Sequence, residues 1–375
     1  LLRGRYTTRP NHDRSMQPKL TRAWVEIDLG ALRRNAEAMA ARGGRLLPMI
    51  KADAYGLGAV RVARVLEKLD PWGYGVATVA EGAELRESGI ERPILVATPL
   101  LADDLPEARR WRLTPALERS EDIRCWQSLG GGAWHLSIDT GMSRAGIRWD
   151  EVDSLREVVA SFAPEGAFTH FHSAGWDAAS VLLQRERFEA AVARLPERPR
   201  LLHAENSAAL ERVTSTRWEL VRPGVFLYGV GSGEGSLVAP EPVAHVRARV
   251  VDLRIALPGE TVSYDATYSV SGPGARRIAT LSIGYADGYR RSLSGCGTVM
   301  VRGELAPVAG RVTMDMTMID VTDVECEIGD VATLIGSDGT RLLDMVSVAG
   351  CAGLSPYELL TGLRGRLERV YLEDA

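Results

Sequence analysis

Cysteine is scarce in this 375-residue chain. Four thiols stand at Cys125, Cys296, Cys326 and Cys351, with no CxxC pair and no histidine beside them at metal-ligand spacing. That pattern favours free thiols in a reducing cytoplasm over a disulfide framework or a zinc site, so no metal is expected. Long apolar runs are missing too; none approaches the ~20 residues that a membrane-spanning helix needs. Neither sign of charge dominates, with 45 basic and 49 acidic residues. The balance gives no reason to expect nucleic acid or an anionic membrane as partner. No GxGxxG follows the first apolar run, which weakens a dinucleotide-binding reading. The opening stretch, with Pro10 and Pro18, lacks the apolar core of a signal peptide, and residues 1–18 read as a flexible tail.

What is present is an ordinary globular composition, 45% hydrophobic and 25% charged, in a chain long enough for a barrel plus a smaller domain. Short apolar runs recur at 46–51, 73–78, 94–99, 113–117, 134–139, 166–171, 200–205 and 220–225. Amphipathic stretches lie between them, such as AVRVARVLEKL (59–69) and LLQRERFEAAVARL (182–195). Continuous strands alternating with helices imply a parallel sheet covered on both faces. Eight such units predict an α/β fold, a (β/α)8 TIM barrel over residues 19–240, with an open doubly wound sheet as the alternative. Beyond residue 240 the runs are alternating or β-branched and punctuated by glycine, predicting a mostly β C-terminal domain over 241–375. Residues 355–370 read as its closing helix, and the early strand 23–29 is placed to pair with this domain.

In such a barrel the active site lies at the C-terminal strand ends. Lys51 closes the first run, Asp139 the fifth, and His170 lies near the end of the sixth; Glu205, Asn206 and Ser207 follow the seventh, and Arg222 with Gly224 sits in the eighth. With Arg144, these put a lysine, two arginines and a histidine on one rim. A desolvated lysine beside cations has a lowered pKa and can condense with a carbonyl. A phosphate-bearing aldehyde cofactor would use the lysine, the cations and the glycine-containing loops together, and pyridoxal 5'-phosphate is the candidate.

The segments IKADAYGLG, IDTGMSRAG, THF, ENSAA, VRPGVFLYG, VSYDATY, SIGYADG, GRVTMDM and PYELL occur in this order from residue 50 onward. In order and spacing the chain resembles the alanine racemases, pyridoxal-phosphate enzymes built as a barrel plus a β domain. The resemblance implies a cytoplasmic homodimer with shared active sites, which acts on a small amino acid and supplies D-alanine for peptidoglycan. It implies that Lys51 holds the cofactor and acts as one base, and that Tyr264, from the partner subunit, is the other. Tyr55, Asn206, Ser207, Gly224, Val225 and Tyr357 match cofactor-binding positions, most of them around the phosphate. Arg222 matches the arginine facing the pyridine nitrogen, and His170 lies between it and the catalytic tyrosine. Arg144 matches the arginine near the cofactor's phenolic oxygen and the substrate carboxylate. Met314, through its backbone N–H, and Tyr285 match positions that meet the substrate.

Some positions depart from the family pattern. Ser137 stands where a lysine is frequent, so no carbamylated lysine is expected, and Arg144 needs another support such as an anion or a side-chain amide. Leu57, His172, Gly175 and Thr313 also differ, leaving a racemase of broader or different specificity, for serine or a basic amino acid, as the alternative. Arg222 argues against a decarboxylase, which would hold the ring nitrogen with a carboxylate. Without the resemblance, His170 reads equally well as a core histidine and Asp139 as a loop hydrogen-bonder. Cys296, Cys326 and His203 read as structural.

Overall fold

The computed structural model describes residues 22–339, 341–363 and 365–373. The expected tail, residues 1–18, lies outside the described residues.

The chain begins with strand β1 (Ala23–Asp28), and Asp28 caps the following helix α1 (Leu29–Ala40) by accepting from the N–H of Ala31 at 2.8 Å. Eight short parallel strands come next: β2 (Arg45–Leu46), β3 (Tyr74–Val76), β4 (Ile94–Val96), β5 (Thr114–Leu117), β6 (His135–Asp139), β7 (Gly166–Phe168), β8 (Leu201–His203) and β9 (Leu220–Val221). Strands β3 to β8 pair in sequence order. The ring closes because β9 pairs with β2, and single bridges join Met49 to Gly75 and Asn206 to Arg222. These are the eight runs of the sequence, and the closed ring is the TIM barrel rather than an open sheet.

Helices cover the barrel, not all with the face their periodicity predicts: Ala178–Ala193 exposes Leu182 and Leu183 and buries Gln184. The helix Ala59–Leu66 buries Ala59, Val62, Ala63 and Leu66, the i, i+3, i+4, i+7 stripe. Full burial of Val62 or Leu66 stabilises by about 1.5–3 kcal/mol. The helix Val79–Glu87 opens with a capping box, in which Thr78 accepts from the N–H of Glu81 and Glu81 accepts from that of Thr78. The second carboxylate oxygen of Glu81 accepts from the N–H of Ala52 at 2.7 Å. A residue that starts one helix thus holds the turn beside Lys51.

That turn differs from the expected strand over 46–51. Ladder pairing ends at Met49, and Ala52 to Tyr55 form one turn of left-handed helix, with φ of 53–55° at each. The conformation costs L-residues about 1–2 kcal/mol each, so the surroundings must impose it. The N–H of Ala54 donates to Ile50 at 2.8 Å, and that of Gly58 to the Asp53 carbonyl at 2.8 Å. The Asp53 side chain accepts from the N–H of Ala59 at 2.8 Å.

The C-terminal domain completes the clamp. Strand β10 (Ala244–Ala256) runs antiparallel to β1, then passes a register shift near Val250 to pair with β11 (Arg276–Leu281), which continues to β12 (Thr317–Asp320). On its other flank β10 meets β13 (Val331–Ser337). The expected helix over 355–370 is corrected: helix ends at Thr361, and β14 (Glu368–Leu372) pairs in parallel with β1. Pairing with β1 overrides helical propensity because it points alternate side chains of β14 at the barrel. Arg369 donates to the carbonyl of Gly56 at 2.8 Å and pairs with Asp53 at 3.3 Å. The Tyr371 hydroxyl donates to the Leu57 carbonyl at 3.1 Å.

Gly58 shows how close this contact is: its φ is +96°, and a Cβ there would lie 2.1 Å from the Tyr371 hydroxyl oxygen. Gly89 has the same left-handed character, φ +90°, with open space around it. In urea unfolding, Gly89→Ala should cost about 1 kcal/mol of backbone strain, and Gly58→Ala at least twice that. Adding Tyr371→Phe should recover part of the Gly58→Ala loss. Equal losses for the two alanine variants would mean that this contact does not constrain the turn.

Candidate active site

Lys51 heads the left-handed turn at the C-terminal end of the first barrel run, half-buried. Burial lowers the pKa of its ammonium group, the Arg144 guanidinium lowers it further, and Glu81 opposes both. An amine so placed gives up its proton more easily than an ordinary lysine, which suits a nucleophile or a general base.

The turn carries Tyr55 inward. Its ring is buried, 4.8 Å from the ring of Tyr228 and 6.4 Å from that of Tyr357, which sits near the start of the helix Pro356–Thr361. The Tyr55 hydroxyl approaches the backbone of Gly224 so closely that a Cβ there would lie 2.7 Å from it. Ser207 Oγ accepts from the N–H of Gly224 at 2.8 Å, which leaves the Ser207 hydroxyl proton free. Among the described residues, the hydroxyls of Tyr55 and Tyr357 have no hydrogen-bond partner. Asn206 fixes this corner, capping Ala209 through Oδ1 at 3.1 Å and donating to the Phe171 carbonyl at 3.3 Å. The result is a concave set of hydroxyl donors suited to a phosphate, with Glu211 near enough to add to the burial that raises the Tyr357 pKa.

Arg222 lies deeper and is buried. Its Nη1 donates to Nδ1 and the carbonyl of His203 at 2.8 and 2.7 Å; its Nη2 donates to the carbonyls of Thr169 and Ala204 at 2.6 and 3.0 Å. Nε alone has no acceptor among the described residues. The Phe168 ring lies 5.4 Å from the guanidinium carbon. Burial pulls the group down to about 9 while Glu205 opposes the shift, so it stays a cation at neutral pH.

Because His203 Nδ1 accepts from Arg222, its proton sits on Nε2, which donates to His135 Nδ1 at 2.8 Å. His135 therefore carries its proton on Nε2, 3.9 Å from Glu165. Burial, reinforced by the Arg222 charge, keeps both rings neutral, with His135 held down to about 3. The sequence reading left His203 as structural and missed His135 and Glu81. Their signal was position: His203 and His135 belong to barrel strands that converge on Arg222, which linear order hides.

His170 is half-buried near Arg222, Arg144 and Lys51; burial and these cations hold it at about 3, a neutral ring. Arg144 is exposed and has no hydrogen bond or ion pair among the described residues, so no side-chain amide takes the place of the lysine absent at Ser137. A cavity of ≈ 40 Å³ lies between Ser137, Arg144 and His170. Asp139 is a loop hydrogen-bonder: its Oδ1 accepts from the N–H groups of Gly141, Met142 and Ser143 at 2.9–3.1 Å.

Three sequence candidates lie on the C-terminal domain. Tyr264 is 68% exposed in a corner where Ser263, Asp265 and Ala266 all have positive φ. The corner is held by Ser263 Oγ donating to the Arg311 carbonyl at 2.8 Å and by Asp265 paired with Arg311 at 3.5 Å. Met314 is exposed, and its N–H has no partner among the described residues. The N–H of Tyr285, on the neighbouring loop, donates to Thr313 at 3.0 Å. Among the described residues, no hydrogen bond joins Tyr264, Met314 or Tyr285 to the Lys51 cluster.

The neutral histidines have a consequence for stability. Unfolded, His135 protonates near 6.5; folded, it resists to about 3. The unfolded chain thus binds more protons below pH 6.5, so this stability is complete above that pH and is lost as pH falls toward 3. In urea unfolding between pH 6 and 4.5, His135→Gln should flatten the fall by about 1.4 kcal/mol per pH unit relative to wild type. Parallel slopes would contradict a buried neutral His135.

Comparison with known proteins agrees with this arrangement. Residues 27–232 match the family described as alanine racemase, N-terminal domain, and residues 243–371 match alanine racemase, C-terminal domain. An alanine racemase of Geobacter sulfurreducens is 38% identical, covering 94% of this chain and 97% of its own. The solved alanine racemase of Clostridium difficile 630 superposes with a TM-score of 0.87 at 30% identity, covering 94% and 96%. That of Bartonella henselae, described with covalently bound pyridoxal phosphate, gives 0.85 at 28% identity, covering 94% and 100%. With both domains matched in order and relatives similar over nearly their whole length, this chain belongs to the alanine racemase family of isomerases.

Proposed function

We propose that this protein interconverts L- and D-alanine with pyridoxal 5'-phosphate, using Lys51 and the partner subunit's Tyr264 as bases on opposite faces of the substrate. The observation that carries the proposal is the close approach of the Tyr55 hydroxyl to the backbone of Gly224, beside the Ser207 hydroxyl, on the same rim as a lysine of lowered pKa. The chain's own residues fit the cofactor. Tyr55, Ser207, Gly224, Val225 and Tyr357 would hold its phosphate, with Asn206 fixing the loop, and Lys51 its carbonyl carbon. The free Nε–H of Arg222 would meet the ring nitrogen. When bound, the cofactor supplies a carbonyl that condenses with the substrate amine and a conjugated ring that spreads the charge left by the α-proton. The covalent cofactor in the Bartonella henselae relative supports the assignment.

The protein's residues divide the remaining work. Arg222 is protonated at neutral pH and offers no acceptor, so it would leave the ring nitrogen it contacts unprotonated and moderate the ring's pull on electrons. Arg144 and the N–H of Met314 would orient the substrate carboxylate, with Tyr285 at the entrance. Racemisation needs a proton removed from one face of the α-carbon and delivered to the other. Lys51 serves one face. Tyr264 stands exposed on a strained, braced corner, which favours its serving the site of a second copy. The neutral His170 of the receiving barrel offers that tyrosine an acceptor. The product would serve cytoplasmic synthesis of cell-wall precursors.

Reduction with borohydride in the presence of pyridoxal phosphate should fix the label on the peptide containing Lys51, read by mass spectrometry; a label on another lysine would overturn the cofactor assignment. Lys51→Ala and Tyr264→Ala should each be inactive in a chiral alanine assay. Mixed in equal amounts under subunit exchange, they should recover about a quarter of wild-type activity, because half the dimers are mixed and each mixed dimer has one intact site. No recovery after demonstrated exchange would place both bases in one chain. The same assay run on serine and basic amino acids decides the breadth of specificity.

A further inference from the structure

Cys296 and Cys351 are 55 residues apart in sequence, yet their sulfurs lie 3.3 Å apart at the surface of the C-terminal domain. Cys296 follows the short turn Arg291–Leu293, and Cys351 ends the helix Met345–Cys351. The other two thiols differ: Cys326 is buried and Cys125 only half-buried. Near the pair, the loop before Cys296 packs against the helix that follows Cys351. A Cβ on Gly288 would lie 2.4 Å from the carbonyl oxygen of Gly362, and Arg290 donates to the Glu358 carbonyl at 3.2 Å. Burial raises the pKa of the Tyr289 hydroxyl, and both sulfurs lie close enough to add to the shift. The sulfurs need to close only to about 2.05 Å to form a bond.

We propose that Cys296 and Cys351 form an oxidation site, a surface dithiol that hydroperoxides convert to an intramolecular disulfide. Cys296 gives its proton to solvent, and its thiolate attacks the peroxide oxygen, breaking the O–O bond; the sulfur becomes a sulfenic acid, and hydroxide leaves to be protonated to water. Cys351 then attacks that sulfur. The S–S bond forms, the S–O bond breaks, and a second water leaves with the Cys351 proton. Overall two thiols and one hydrogen peroxide give one disulfide and two waters, the sulfurs supplying both electrons. The order of the two cysteines follows from their surroundings. Burial, then the neighbouring sulfur, pushes the Cys351 thiol up to about 11, so it keeps its proton and stands as the resolving partner. Its S–H can also donate to a thiolate formed at Cys296. The product would tie the segment after Tyr285 to the helix pair that carries Tyr357.

The test treats the purified full-length protein with hydrogen peroxide at low protein concentration. Thiols counted after denaturation should fall from four to two, the intact mass should drop by about 2 Da, and non-reducing digestion should give one peptide linking positions 296 and 351. Cys351→Ser should instead accumulate a sulfenic acid at position 296 that dimedone traps, while Cys296→Ser should give neither the trap nor the mass loss. Retention of all four thiols, oxidation through chain-to-chain linkage, or dimedone labelling of Cys351 in Cys296→Ser would each overturn the proposal.

Discussion

One buried cation organises the interior of this barrel. Removing a guanidinium from water costs several kcal/mol unless its N–H groups find acceptors, and Arg222 finds them in carbonyls at the strand ends. Such carbonyls exist only where strands leave the ladder, as β7 and β8 do after Phe168 and His203. The cation is therefore confined to the C-terminal rim, and its field does the rest. It helps keep His203, His135 and His170 neutral, and it joins Lys51 and Arg144 in making the rim electropositive. A site with this charge favours an anionic ligand before any specific contact is made.

The second dependence runs between the domains. The left-handed turn that aims Lys51 and Tyr55 is costly by itself. It is stabilised from two directions, by the capping glutamate of a barrel helix and by Arg369 and Tyr371 of the last strand. The C-terminal domain thus does more than carry Tyr264. It shapes the loop of Lys51 and Tyr55 in its own barrel. A barrel alone would retain Lys51 but lose two of the bonds that hold the adjoining turn.

Much of the fold was legible in the residues. All eight barrel runs were read within a few positions, because short continuous apolar segments between amphipathic helices have few other solutions. The rest depended on long-range pairing. Residues 368–372 read as helix, but become a strand because β1 is available beside them. Lys51 reads as a strand end, but four successive residues with positive φ have no propensity signal when none is glycine or asparagine. In the site, the motifs named Lys51, Tyr55, Ser207, Arg222 and Gly224, which the fold brings to one rim of the barrel. They were silent about His135, His203 and Glu81, which act on those groups and come from strands and helices distant in sequence.

The position of β1 bears on how the molecule is made. This strand lies between β10 and β14, so both its neighbours are encoded far downstream, one from Ala244 and the other from Glu368. At ribosomal speeds of about 5–20 residues per second, roughly 10–45 s separate its synthesis from that of its nearer neighbour. The barrel has time to close in that interval, while Trp24, Val25 and Ile27 wait as an unpaired apolar edge. The slowest and most aggregation-exposed stage of biosynthesis would therefore be the return of the chain to its first strand, rather than closure of the barrel.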